Sequence, residues 1–108
     1  MPPKPPYYAV IFTSRRSLED DEGYAKMAEA MEEQARKQPG FLGIESARDP
    51  ETRFGITVSY WKNEDSVKDW KEVTSHKLAQ KLGREKWYES YTTHVAKVER
   101  SYGFGDEG

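Results

Sequence analysis

The chain contains no cysteine. Disulfides, thiolate zinc sites and cysteine nucleophiles are therefore excluded. Histidine is scarce: His76 and His94 are the two, eighteen residues apart and on different elements, and that spacing makes no metal motif. Glycines stand one at a time, so no phosphate-cradling loop is present. No nucleophile elbow occurs, nor any Ser/His/Asp set that spacing supports. Long apolar runs are missing. Nothing approaches the roughly 18 residues of a membrane span, and the N-terminus lacks the apolar stretch of a signal peptide. An excess of one charge is missing too, since 17 basic and 19 acidic residues leave a net charge of −2. That balance gives no electrostatic footprint for nucleic acid, and Arg15-Arg16 is a pair rather than a patch. These absences lead us to expect a soluble, cytoplasmic protein with no nucleic-acid or membrane partner and no bound nucleotide, flavin or metal cofactor.

What is present is an aromatic, highly charged single domain. At 108 residues the chain favours one domain. Hydrophobic residues make up 35% and charged residues 33%, so the core is thin and some apolar surface is expected to be shared with a second copy. Seven Tyr and three Trp could fill that core, an interface or a pocket.

Residues 1–6, MPPKPP, hold four of the six prolines and read as an extended tail. Tyr7 to Arg15 is β-branched and aromatic, with Tyr8, Val10 and Phe12 on one face and Tyr7, Ala9 and Ile11 on the other, which predicts a strand covered on both sides. Asp20 and Asp21 suit a helix start. Tyr24, Met27, Ala28, Met31 and Ala35 then form an apolar stripe that ends at Pro39-Gly40. Phe41 to Arg48 and Phe54 to Trp61 read as a hairpin around Asp49-Pro50-Glu51-Thr52. Asn63 caps a second helix with Val67, Trp70, Thr74, Leu78 and Leu82 on one face, interrupted or ended at Ser75 and Gly83. Arg84 to Tyr88 reads as a short helical turn, Tyr91 to Arg100 as a fourth strand, and 103–108 as a glycine-rich flexible tail. The order βαββαβ predicts a single α+β domain over 7–102 of the ferredoxin-like, split βαβ type, with both helices on one face of an antiparallel sheet. The bare face is then expected to be covered by a second subunit.

The pattern QPGFLGIES, then DP in a loop, then FGITVSYWKNEDSVKDW and a downstream His76 resembles the antibiotic biosynthesis monooxygenase family. The resemblance implies a homodimeric α+β barrel. It also implies one of several activities: cofactor-independent oxygenation of polyketide or quinol substrates, haem degradation, or a role without assigned chemistry. The haem-degrading branch carries an asparagine on strand one, a tryptophan on helix two and a histidine about three turns further on. Trp70 matches the tryptophan, but strand one has no asparagine and Gln80 stands ten residues beyond Trp70. His76, four residues earlier, is about one turn away.

The candidate site follows from these residues. His76, at the expected break in helix two, is the candidate catalytic base, because a neutral imidazole with an ordinary pKa near 6.5 can take a phenolic proton; it could equally cap or face solvent. Trp70 is either core packing or a pocket wall. Phe12 and Tyr91 are candidate walls for a small aromatic substrate. Trp87, Tyr88 and Tyr91 could close one end of a flat pocket or form a dimer contact. His94, pointing with Thr92, Ala96 and Val98, is expected to be structural. Two functions fit: a cofactor-free monooxygenase acting on a phenolic, quinol-like or polyketide-like compound, or a dimeric binding or stress-associated protein without turnover.

Overall fold

The computed structural model describes residues 4–80 and 86–105, the side chains of 75–80 excepted. Six elements follow in the order β1 (Tyr7–Arg16), α1 (Asp21–Lys37), β2 (Phe41–Arg48), β3 (Phe54–Trp61), α2 (Glu64–Gln80) and β4 (Tyr88–Val98). The four strands form one antiparallel sheet in the order β2-β3-β1-β4. The βαββαβ ferredoxin-like arrangement expected from the sequence is therefore present, with β3 between β1 and β2, and β1 between β3 and β4.

Local chemistry explains the boundaries. Asp20 caps α1 from a left-handed conformation at φ 52°, its carboxylate accepting from the Gly23 N–H at 3.1 Å. Aspartate tolerates that conformation because its short side chain bonds locally. Asp21 and Glu22 then lie at the positive end of the helix dipole, with Arg36 and Lys37 at the negative end. Gly40 turns the chain into β2 at φ +85°. At α2 the Asn63 carboxamide oxygen accepts from both the N–H and the hydroxyl of Ser66, each at 2.9 Å.

Two expectations need correction. Helix α2 runs unbroken through Ser75 to Gln80; a serine costs a helix well under 1 kcal/mol and cannot break it as proline would. Gly83, the other expected break, lies outside the described residues. The fourth strand begins at Tyr88 rather than Tyr91 and ends at Val98. Its early start comes from a register shift that pairs Arg16 with Tyr88 after Arg15 has paired with Ser90.

Register divides the sheet into two faces, because directly paired residues share a side. Tyr8, Val10, Phe12 and Ser14 pair with Trp61, Ser59, Thr57 and Gly55, and these face the helices. There Ala35, Trp61, Val67 and Trp70 form the buried core, with Tyr8, Val10, Met31, Phe41 and Val73 packed around them. Trp61 is fully buried and donates its indole N–H to the Ser59 hydroxyl at 2.9 Å. The opposite face carries Ala9, Ile11 and Thr13 beside Tyr60, Val58 and Ile56, and none of the described helices crosses it. No helix of the described residues is long and apolar enough to cross a membrane.

The joint between α1 and β2 is sterically tight. A Cβ added to Gly40 would lie 2.0 Å from the Ser66 hydroxyl oxygen, on a backbone that L side chains rarely adopt. Gly40→Ala is expected to cost about 1–3 kcal/mol. In thermal denaturation each kcal/mol lowers Tm by roughly 4–8 °C. Adding Ser66→Ala should return the steric part of the loss and leave the conformational part.

Candidate active site

The helix-facing side of the sheet carries two separate aromatic groups. The first surrounds Trp61. Trp70 stacks on it with centroids 5.4 Å apart and planes inclined by 27°, and Phe41 meets its edge at 5.5 Å. Trp70 is thus part of the packed core and only 7% exposed. The second group lies further along β1. Phe12 is 5.4 Å from Tyr91 and 5.6 Å from Tyr88, and the two tyrosines are 5.7 Å apart. Tyr24 of α1 meets Tyr88 edge-on at 5.7 Å and Trp87 at 6.4 Å. The structure therefore brings together Phe12, Tyr91 and Trp87. It keeps Trp70 apart: its partner Trp61 pairs with Tyr8, four residues from Phe12 on β1, or roughly 13 Å.

A bulge creates this second group. Strict alternation inward from Tyr91 would select Glu89. Because the register skips Glu89, Tyr88 faces inward with Tyr91, opposite Arg16 and Ser14. A bulge re-aims side chains in this way by inserting one extra residue into one strand. Beyond Tyr91 the same face of β4 is open, with Thr93 exposed and Val95 55% exposed. His94 lies on the opposite face, paired with Ile11, and is exposed. His76 sits within α2, six residues beyond Trp70, and its side chain lies outside the described residues.

Arginines surround the aromatic group. Arg48 reaches from β2 across β3 to β1 and α1. It donates to the Ser14 carbonyl at 3.2 Å, the Ser14 hydroxyl at 2.9 Å, the Arg53 carbonyl at 2.7 Å and the Tyr24 hydroxyl at 3.2 Å. Arg16 is 2% exposed, lies 4.0 Å over the Tyr24 ring and donates to the Trp87 carbonyl and, at 2.8 Å, to Asp21. Arg53, at φ 65°, donates to the Ser17 carbonyl and also pairs with Asp21. Asp21 pairs with Arg16 and Arg53, and Arg48 has no carboxylate among the described ion pairs, so three guanidiniums share one carboxylate and the cluster is electropositive. Burial, and then the charge of Arg53, lowers the Arg16 pKa, yet arginine starts so high that it stays charged.

The acid–base character of the tyrosines follows. Burial, and then the nearby Tyr24, pushes the Tyr88 phenol far above the ordinary tyrosine range. Tyr88 is therefore a neutral hydroxyl at every working pH: it can donate a hydrogen bond and cannot serve as a base. Asp20 is held below the usual carboxylate range, first by the Trp87 indole N–H at 3.2 Å and then by the Gly23 amide. That contact pins the start of β4 to the cap of α1. Among the described residues no three His, Asp or Glu side chains converge as metal ligands would.

The family model for antibiotic biosynthesis monooxygenases matches residues 7–82. The chain belongs to that family. It is 54% identical over 98 residues to YqjZ of Bacillus subtilis, an uncharacterized protein, with 91% of this chain and 84% of that one covered. It is 30% identical over 97 residues to a jasmonate monooxygenase of Pyricularia oryzae, covering 87% of this chain and 44% of that protein, so it spans under half of that relative's length. The fold is shared with SnoaB, a cofactor-independent oxygenase from Streptomyces nogalater, at a TM-score of 0.72 and 8% identity over 90% of this chain and 97% of that one. PA3566 of Pseudomonas aeruginosa shares it at a TM-score of 0.68 and 15% identity, with 91% and 97% covered. At such identities the likeness concerns the fold alone.

Within this monooxygenase-family chain, sequence reasoning missed Arg16, Arg48 and Tyr24 as site residues. Arg16 read as half of a charge pair, and Tyr24 as one more apolar position on α1. One signal was available for Arg48. Its pairing partner in β3 is Gly55, and a Cβ there would lie 2.6 Å from the guanidinium carbon. A glycine inside a β-branched and aromatic strand marks a close approach of this kind.

The state of Tyr88 can be measured. In the unfolded chain its phenol ionises near pH 10, whereas in the folded protein it remains protonated. Its contribution is thus fully present below about pH 10 and is lost as pH rises further toward the elevated folded value. Tyr88→Phe should show a shallower fall of Tm than the parent above about pH 10. The same slope in both proteins would mean that Tyr88 titrates normally.

Proposed function

We propose that the protein is a monooxygenase that works without a bound cofactor on a small electron-rich phenol, of quinol or polyketide type, held against Phe12, Tyr88 and Tyr91. The observation that carries this reading is the pairing of that aromatic wall with an arginine cluster balanced by one carboxylate. A phenol must first become its anion to give electrons to oxygen. A unit charge 4 Å away is worth about 4 kcal/mol at the effective dielectric of a protein surface, and less at longer range. Fixed positive charge near the ring therefore favours the phenolate, and a neutral Tyr88 hydroxyl can donate to its oxygen. The reaction balances without another reductant. One atom of O₂ enters the ring carbon, the other leaves as water, and the phenol supplies all of the electrons, ending as a quinone. His76 is the proposed base and Trp87 closes the far side through Tyr24. Trp70 bounds the site from the core rather than touching the substrate. Monooxygenase-named relatives support the reaction class.

The assembly we propose is a homodimer formed through the helix-free sheet face, acting in the cytoplasm. That face exposes Ile56 and Phe54 at 39% and 45%, which a second copy would cover.

A second reading, reversible binding without turnover, has one observation in its favour: Trp70 fills the space beside Trp61 instead of lining a cavity. Oxygen uptake separates the two. With a panel of substituted quinols and naphthols, the parent should consume O₂ and form quinone, and His76→Ala should lower kcat by about 10²–10⁴, the usual worth of a general base. Tyr88→Phe should lower kcat while circular dichroism stays unchanged. Ligands that raise Tm without any O₂ consumption would establish the binding reading instead.

A further inference from the structure

Two features of the molecule remain without a role, and they lie at opposite ends of the sheet. The first is the chain after β4, in which Tyr102 is 86% and Phe104 99% exposed. The second is an open depression of about 700 Å³ at the β2–β3 hairpin, lined by the apolar Ala47, Pro50, Phe54 and Ile56, by Asp49 and Glu51, and by Gly55 and part of Arg48. Ala47, Phe54 and Ile56 belong to the helix-free face, since Ala47 pairs with Ile56 and Ile56 with Thr13.

Even fully extended, the tail of a chain reaches no further than the near edge of its own depression. β4 ends at Val98, paired with Tyr7, whereas Ile56 and Phe54 pair with Thr13 and Arg15. Six to eight residues of β1 separate the two levels, about 20–26 Å along the strand. Two strand spacings add roughly 9–10 Å sideways. From Val98 to Phe104 is six residues, which reach at most about 22 Å even if fully extended. The described chain also leaves Phe104 touching almost nothing. A second copy has no such restriction. Two helix-free faces related by a twofold axis can bring the β4 end of one chain over the hairpin end of the other, and each chain then both gives and receives a tail.

We infer that residues 101–105 of one copy dock Tyr102 and Phe104 into the hairpin depression of a second copy, clasping the dimer at both ends. This rests on the proposal that the helix-free face is the dimer face. Each aromatic side chain buries about 150–250 Å², so four of them contribute roughly 600–1,000 Å² to an interface that needs about 1,200–2,000 Å² in total. The clasp would be a substantial part of the association, and the exposed rings would then have a partner.

The absence of cysteine makes the test direct. Chains carrying Gly103→Cys and chains carrying Glu51→Cys are prepared separately, mixed, and treated with a short thiol-reactive cross-linker. The expected result is a covalent product joining the two variants, in excess of that in either preparation alone. Sedimentation of Tyr102→Ser/Phe104→Ser, which alters only exposed side chains, should show a dimer weakened at least 10-fold. A dimer that forms with full strength in that variant and yields no mixed product would overturn the clasp while leaving the dimer face intact. A parent that sediments as a monomer at micromolar concentration would overturn both.

Discussion

Everything at the candidate site depends on one side chain lying flat. Arg48 crosses β3 directly above Gly55, where a single methyl group would collide with it, and ends among acceptors from β1, the hairpin turn and α1. One guanidinium thereby ties two strands, the hairpin turn and a helix. Its planar fork suits this task because each N–H leaves at a fixed angle, and a lysine could not satisfy the same four contacts. The cost is a partly buried charge with no carboxylate of its own among the described ion pairs. Neutral acceptors offset that cost only in part, so the surrounding polar groups must be held in place for the fold to keep it.

The aromatic group depends on that tie. Tyr24 is fixed from two sides: Arg48 donates to its hydroxyl and Arg16 lies over its ring. A ring held in this way becomes a wall against which Tyr88 can pack edge-on. The bulge at Glu89 supplies the other condition by turning Tyr88 inward. Two independent local devices, a glycine in β3 and a skipped residue in β4, therefore converge on one tyrosine. Their convergence removes water from its phenol and keeps it neutral. A neutral hydroxyl is thereby held beside fixed positive charge.

The architecture was readable because its signals are local. Pro39-Gly40, the Asp49-Pro50 turn and Asn63 each act on their own few residues, and β2 and β3 appear with the boundaries that those residues predict. Trp87, Tyr88 and Tyr91 were legible as a group because they crowd the entrance to the fourth strand, with Phe12 a separate candidate wall on the first. The rest was not, for a physical reason. The inward turn of Tyr88 is a property of pairing register, which requires both strands to be known. The roles of Arg16 and Arg48 require knowing that Asp21 is shared by Arg16 and Arg53 and that Gly55 lies under Arg48. Trp70 is a case that spacing leaves open. Its spacing placed it on the inner face of α2, and that placement holds, but spacing alone cannot say whether an inward tryptophan lines a space or fills it. Trp61 across the gap decides that it fills it.

The two faces of the sheet also constrain each other. β1 is central, paired on both sides, and carries apolar residues on both faces; only one face is covered by the described helices. Moving the register of β1 by one residue would exchange Phe12 and Ser14 for Ile11 and Thr13 on the helix side, losing the aromatic wall and the acceptors of Arg48 together. Any contact that stiffens the helix-free face therefore also stabilises the register that builds the site behind it. In a single sheet, a partner on one face and a substrate on the other would act on the same hydrogen-bonded ladder. Association of two copies would then support the site without any partner residue entering it, through the fixed positions of Phe12 and Ser14 alone.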